Sequence, residues 1–123
     1  QDWEEPLVEN PSLVLHNGVY YLIYSANWWE GGNYALGYAI CAGPSGPCEK
    51  PWDEPFFALP TNRIGSEIGP GGGSFFHDHD GDLWLAYHAW RAPSAGYVAG
   101  GQRRLSLARI EFLDNEPLVV RPE

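Results

Sequence analysis

Apolar positions along this chain fall in short runs bounded by turn residues, not in helical stripes. Val19-Tyr20-Tyr21-Leu22-Ile23-Tyr24-Ser25 follows Asn17-Gly18, and Leu83-Trp84-Leu85-Ala86-Tyr87-His88-Ala89-Trp90 follows Asp80-Gly81-Asp82. β-Branched and aromatic side chains pack well on a pleated surface, and Asn-Gly or Asp-Gly supplies the positive-φ positions of a tight hairpin. Each run is therefore predicted to be the second strand of a hairpin. First strands are predicted at Ser12–Leu15 and Ser74–Phe76, third strands at Ala35–Ala42 and Arg104–Phe112, and weaker fourth strands at Pro55–Leu59 and Pro117–Val120. No window of about 11 residues sustains the period of an amphipathic helix. The chain reads as all-β.

The two halves superpose at an offset of about 62 residues, with Ser12 on Ser74 and Leu22-Ile23-Tyr24 on Leu85-Ala86-Tyr87. A repeated strand–turn–strand–loop–strand–strand unit is the pattern of a β-propeller blade. Blade A is placed at about 7–60 and blade B at about 72–121 of one partial propeller domain. Two blades cannot close a ring, and a lone pair exposes flat faces and unpaired edges. Completion is expected from self-association into a homo-oligomer, from another polypeptide, or from a missing part of the same gene product.

Composition narrows the partners. The 123 residues suffice for one domain with its own core. A formal charge of −9 argues against nucleic acid and anionic membrane surfaces as partners. No apolar run approaches bilayer-spanning length, and no basic-plus-apolar leader is present. The absence of Met, even at position 1, points to a processed, trimmed or excerpted chain. Many turn residues and rings suit β-structure that binds flat, CH-rich ligands such as sugars. Cys41 and Cys48 flank the Gly-Pro-rich stretch 42–47, which can fold back far enough to bring them into disulfide range. A local disulfide and a secreted or extracytoplasmic location form the favoured reading, against two reduced thiols on neighbouring strands. No Cys-x-x-Cys spacing supports zinc.

Chemistry enters with Leu7-Val8-Glu9-Asn10-Pro11-Ser12-Leu13-Val14. A carboxylate between two apolar runs is costly to bury as an ion, so Glu9 either stays protonated, faces a polar cavity, or points to solvent from an edge strand. The first two conditions suit a general acid.

With Val8-Glu9-Asn10-Pro11-Ser12-Leu13-Val14 stand, in order, Tyr24-Ser25-Ala26-Asn27, Tyr34-Ala35-Leu36-Gly37-Tyr38-Ala39, Gly46-Pro47-Cys48, Gly69-Pro70-Gly71-Gly72-Gly73-Ser74 and Tyr87-His88-Ala89-Trp90. This series, from Leu7 to Val120, resembles the C-terminal part of the five-bladed propeller of glycoside hydrolase family 43, the arabinofuranosidases, β-xylosidases and arabinanases. The resemblance implies hydrolysis of pentose-containing glycosides such as those of hemicellulose, with an oligosaccharide or aryl-glycoside-like substrate. It implies that Glu9 protonates the departing glycosidic oxygen. The family's general base and its tuning Asp come from earlier blades and have no counterpart here, so the resemblance carries half a catalytic site. A His that often ligates an axial metal in the family's Gly-Pro-Gly-His-Gly loop is replaced by Gly72. No metal ligand and no cofactor is therefore expected.

The remaining candidates keep two readings each. Trp28 and Trp29, in the loop from Asn27 to Tyr34, offer ring faces either to sugar CH groups or to inter-subunit packing, and Asn27 and Tyr34 join them as substrate contacts. His88 shares a strand face with Trp90 and either lines the funnel or is a satisfied core histidine. Of Arg103 and Arg104, the resemblance sends one towards the reaction-centre carboxylates; Arg104 is preferred, against a surface ion pair. His77-Asp78-His79-Asp80-Gly81-Asp82 reads as a solvated hairpin turn in preference to a metal site. The Gly69–Gly73 stretch lacks the ending of a phosphate loop and is expected to bring backbone close to the propeller axis.

Overall fold

The computed structural model describes residues 1–60 and 65–121. Strands β1 (Val8–His16), β2 (Val19–Ala26), β3 (Ala35–Cys41) and β4 (Cys48–Glu49) form one antiparallel sheet in that order. Strands β5 (Glu67–His77), β6 (Leu83–Arg91), β7 (Arg103–Leu113) and β8 (Glu116–Val120) form a second sheet of the same topology. Among the described residues the only helical element is a 3-10 turn at Asp2–Glu4. Two four-stranded meanders in tandem are propeller blades, and they do not close on themselves.

The hairpins form where the turn chemistry places them. Asn17 (φ 48) and Gly18 (φ 77) supply the paired positive-φ residues between β1 and β2. Between β5 and β6 the Asp78 carboxylate accepts the amides of Asp80 and Asp82 and the Trp84 indole N–H. The His-Asp cluster is thus a self-capped turn. Among the described residues no three His, Cys, Asp or Glu side chains are grouped to hold a metal.

The core lies between the sheets. Tyr21, Ile23, Leu36 and Tyr38 face Leu85, Tyr87, Ala89, Ala108 and Ile110, all buried. Alternation along β6 follows from the two-residue period of a strand, which sends Leu83, Leu85, Tyr87 and Ala89 inward and Trp84, Ala86 and His88 to the other face. The innermost strands β1 and β5 lie side by side: the Phe75 amide donates to Ser12 Oγ at 3.1 Å and the Gly72 amide to Ser25 Oγ at 2.8 Å.

Two expectations are corrected. The fourth strand of the first sheet is Cys48–Glu49, not Pro55–Leu59. The latter segment touches the sheet only through an isolated Leu36–Phe57 bridge and drives Phe57 and Leu59 into the core. Prolines at 51, 55 and 60 remove ladder donors, and the Cys41–Cys48 disulfide pins the chain to β3 earlier. The Gly69–Gly73 stretch, expected as a loop, lies inside β5, with register shifts between Ile68 and Gly71 and between Gly71 and Ser74. The disulfide closes a separation of 7 residues. Replacing both cysteines with Ser is expected to cost about 2 kcal/mol by loop-closure entropy, measured as a lower urea midpoint.

Each blade is fastened by the same device. Glu4 accepts from the Tyr24 hydroxyl and from Lys50 Nζ at 2.7 Å, and Glu67 accepts from the Tyr87 hydroxyl, Ser106 Oγ and Arg121 Nη1 at 2.7 Å. The two tyrosines occupy equivalent places on β2 and β6, and the cations follow β4 and β8. A carboxylate near the start of the innermost strand is thereby tied to the chain leaving the outermost one. Burial raises the Glu4 carboxyl, but Lys50, the Gln1 amino group and Tyr24 outweigh it and hold the group at about 2 against an ordinary 4.5. Because the folded value is the lower one, this stability is complete above pH 4.5 and lost as pH falls from 4.5 towards 2. Thermal melts followed by circular dichroism should show that fall, and Lys50→Met should shrink it.

Candidate active site

Glu9 enters β1 just before a register shift between Glu9 and Ser12, where Asn10 takes a positive φ of 56 and Pro11 withholds an amide. A bulge re-aims the side chains beside it. Glu9 is half-buried and pairs across the sheet with Ser25. Its Oε1 accepts the Tyr34 hydroxyl at 2.9 Å. A groove of about 340 Å³, lined by Val8, Glu9, Pro11, Leu22, Tyr24 and Ala39 among others, opens alongside it.

Tyr34 stands immediately before β3 and is 1% exposed. Burial, and secondarily the Glu9 charge, push its hydroxyl above the ordinary tyrosine value, so it is a neutral donor. Its ring lies flat over the glycine stretch of β5: a Cβ at Gly71 would sit 1.7 Å from Tyr34 Cε2. His88, paired with Gly71 across the ladder, stacks on the Tyr34 ring at 6.0 Å and 11°. A Cβ at Gly72, where φ is +61, would come within 2.6 Å of His88 Nε2. The consecutive glycines therefore make room for two rings beside the innermost strands. The space a side chain at position 72 would occupy is filled by the His88 imidazole.

His88 Nδ1 is buried without a hydrogen-bond partner. Burial, and then the positive charge of Arg103, hold the imidazole below its ordinary value against the opposing pull of Glu9. At neutral pH it is uncharged, and its Nδ1 is enclosed by protein.

An aromatic wall flanks this centre. The Arg103 guanidinium lies 4.9 Å from the Trp29 ring centroid, 5.2 Å from Trp90 and 5.6 Å from Tyr97. The Trp90 indole donates to the Trp29 carbonyl at 2.8 Å. Trp28 packs on Trp29 at 5.7 Å and remains 45% exposed, as does Tyr97 at 57%.

The structure thus gathers Glu9, Tyr34 and His88 directly, with Trp28 and Trp29 on the adjoining wall. Asn27, in the left-handed region at φ 75, has both ends of its amide committed to backbone: Nδ2 donates to the Trp3 carbonyl and Oδ1 accepts the Trp28 amide. It shapes the loop. Arg104 is exposed and reaches Gln102, whereas Arg103, on the other face of β7, joins the aromatic wall and influences His88. Asp78, Asp80 and Asp82 lie beyond β5, at the opposite end of the strands from Glu9. The sequence did not single out Ser25 or Tyr97, and of the two arginines Arg104 was preferred to Arg103. The alternation of β7 held the signal for Arg103, since Arg104 shares its face with buried Ala108 and Ile110.

The family model "Glycosyl hydrolases family 43" matches residues 2–117. A curated relative, the β-D-galactofuranosidase xynD of Aspergillus niger, is 29% identical over 85 residues, covering 68% of this chain and 24% of its own length. The crystal structure of a thermostable family-43 glycoside hydrolase superposes with a TM-score of 0.83 at 32% identity, over 99% of this chain and 39% of that one. An endo-1,4-β-xylanase from Bacteroides thetaiotaomicron superposes at 0.78 and 31% identity, over 98% of this chain and 40% of its own. The chain spans well under half the length of these relatives.

Proposed function

Because the chain belongs to glycosyl hydrolase family 43, we propose that it forms the general-acid side of a glycosidase acting on pentose-containing glycosides, with Glu9 as the acid. The observation that carries this is the Glu9–Tyr34–His88 assembly: a half-buried carboxyl, fixed by a buried phenol whose ring stacks on a neutral imidazole. In this reading Glu9 hands its proton to the departing glycosidic oxygen. His88 lines the site, kept neutral by burial and secondarily by Arg103, and Trp28 and Tyr97 offer ring faces to the sugar. Hydrolysis also requires a second carboxylate across the sugar, about 6.5–9.5 Å from the first in an inverting enzyme. That group comes from outside this chain.

Leu13, Leu15 and Ile40 on the first sheet and Leu105, Leu107 and Leu113 on the second are exposed. Such faces are the kind a neighbouring blade covers. The reading includes self-association through them, and the Cys41–Cys48 disulfide supports a secreted location. No helix of the described residues is long and apolar enough to cross a membrane.

The test is turnover of 4-nitrophenyl α-L-arabinofuranoside, β-D-xyloside and β-D-galactofuranoside, with solution mass measured by light scattering. Release from one of the pentosides by an oligomer supports the whole reading. Saturable sugar binding lost in Trp28→Ala, with no turnover on any member, would instead make the chain a carbohydrate-binding module. A monomeric mass would refute self-association.

A further inference from the structure

Lys50 pairs with Glu4, Arg109 with Asp82 and Arg121 with Glu67, while Arg103 lies against three rings. Arg91 and Arg104 are exposed, and among the described residues neither has a carboxylate within ion-pairing distance. We propose that these two guanidinium groups form a subsite for the carboxylate of a uronic-acid residue, carried as a branch on the glycan whose cleaved bond lies at Glu9. This names the substrate class for the reading of Glu9 above and takes its catalytic meaning from it. The anion site itself stands on its own geometry.

Two open cavities, of about 320 and 230 Å³, share Ser66, Glu67 and Ser106 and so form one trough. Arg121 lines the first, and Arg91 and Arg104 line the second. The strand period explains the grouping. Tyr87, Ala89 and Arg91 alternate onto one face of β6. Arg91 pairs with Glu67 on β5, and Ala89 and Tyr87 pair with Arg104 and Ser106 on β7. Arg91 and Arg104 are therefore diagonal neighbours on adjacent strands, with the small Ala89 between them. Glu67 does not neutralise them. Its oxygens accept the Tyr87 hydroxyl at 2.8 Å, Ser106 Oγ, and Arg121 Nη1 at 2.7 Å, so its charge is matched by Arg121. Arg104 donates to the neutral amide oxygen of Gln102 at 3.4 Å. Among the described residues no other carboxylate lines the trough. A chain of net charge −9 thus carries a local excess of positive charge, which draws anions. Guanidinium groups hold a carboxylate through paired N–H donors, and Ser66 adds an exposed hydroxyl for a ring hydroxyl. A glycan brings such a charge as a uronic acid. The trough also stands at the Glu9 end of the sheets. β1 and β5 run in the same sense, since Ser12 meets Phe75 while Ser25, opposite Glu9, meets Gly72. Glu67 opens β5 and Arg91 closes β6 at that end.

Calorimetric titration of the whole chain tests this, with xylotriose bearing one glucuronosyl branch set against plain xylotriose. The branched sugar should bind about tenfold more tightly, the scale of one hydrogen-bonded charge. That advantage should disappear in about 0.5 M NaCl, which screens exposed charges. It should also disappear in the double variant Arg91→Gln/Arg104→Gln. Both positions are exposed, so the variant should keep the fold, as its circular dichroism spectrum would show. Equal affinity for the two sugars, no binding of the branched one, or a preference that survives the double variant would overturn the proposal. Acetate binding as tightly as the branched sugar would also overturn it, by reducing the trough to a general anion site. Turnover plays no part in this titration. A chain that prefers the branched sugar but hydrolyses no glycoside defeats the catalytic reading alone, and one that hydrolyses glycosides without that preference defeats this proposal alone.

Discussion

Glu9→Gln is expected to reduce kcat on glycosides with basic leaving groups by a factor on the order of 10²–10⁴, the usual contribution of a positioned proton donor. Glutamine keeps the shape of the side chain, and its amide oxygen can still accept the Tyr34 hydroxyl that now bonds Oε1. The fold and the neighbouring rings should therefore stay in place, and the circular dichroism spectrum should not change. What the variant lacks is a transferable proton. The leaving group needs that proton in proportion to its basicity, because an alkoxide or a simple phenolate is a poor departing anion. An activated leaving group such as 2,4-dinitrophenolate needs little protonation, so its release should be nearly unaffected. The measurement is kcat for a pair of substrates sharing one sugar and differing in the leaving group. Equal losses on both members would assign Glu9 to substrate binding, and no loss on either would remove it from the chemistry.

Gly71→Ala should be the most damaging single-methyl change in the chain. The added carbon would lie 1.7, 2.3 and 2.6 Å from three atoms of the Tyr34 ring. Those atoms belong to a fully buried ring stacked on His88, so the ring cannot swing aside cheaply. Overpacking of this kind costs about 3 kcal/mol in urea unfolding. The displaced ring also pulls its hydroxyl from Glu9. Gly43→Ala is the control. No atom lies within 4 Å of its new carbon, and its φ is not positive. Its effect should stay within about 0.5 kcal/mol. Similar costs at the two positions would mean that the close contact at Gly71 is relieved by a backbone shift.

Much of the fold was legible because strand formation here is a local matter. The runs around Tyr21 and Tyr87 and the turns at Asn17-Gly18 and Asp80-Gly81 carry their own chemistry, and the structure places β2 and β6 there. The disulfide was legible for the same reason, since a Gly-Pro-rich stretch between Cys41 and Cys48 folds back without help from the rest of the chain. The failures are non-local. Residues 55–59 have the composition of a strand, but the edge of β3 was already occupied by Cys48–Glu49, and Phe57 had a core to fill. The glycine stretch, a loop by the resemblance, pairs within β5, and two rings fill the space its missing side chains leave.

Composition, turn chemistry and the repeated pattern were enough to establish an all-β chain of two blade-like units with a disulfide, and the ordered motifs singled out Glu9. These properties depend on residues near one another along the chain. The company Glu9 keeps was decided by the tertiary structure. Tyr34 reaches it across the glycines of β5, His88 arrives from the other sheet, and Arg103 rather than its neighbour turns towards His88. Side chains far apart in sequence meet only when the bulges and crossings of the sheets are set, and packing of the whole domain sets those.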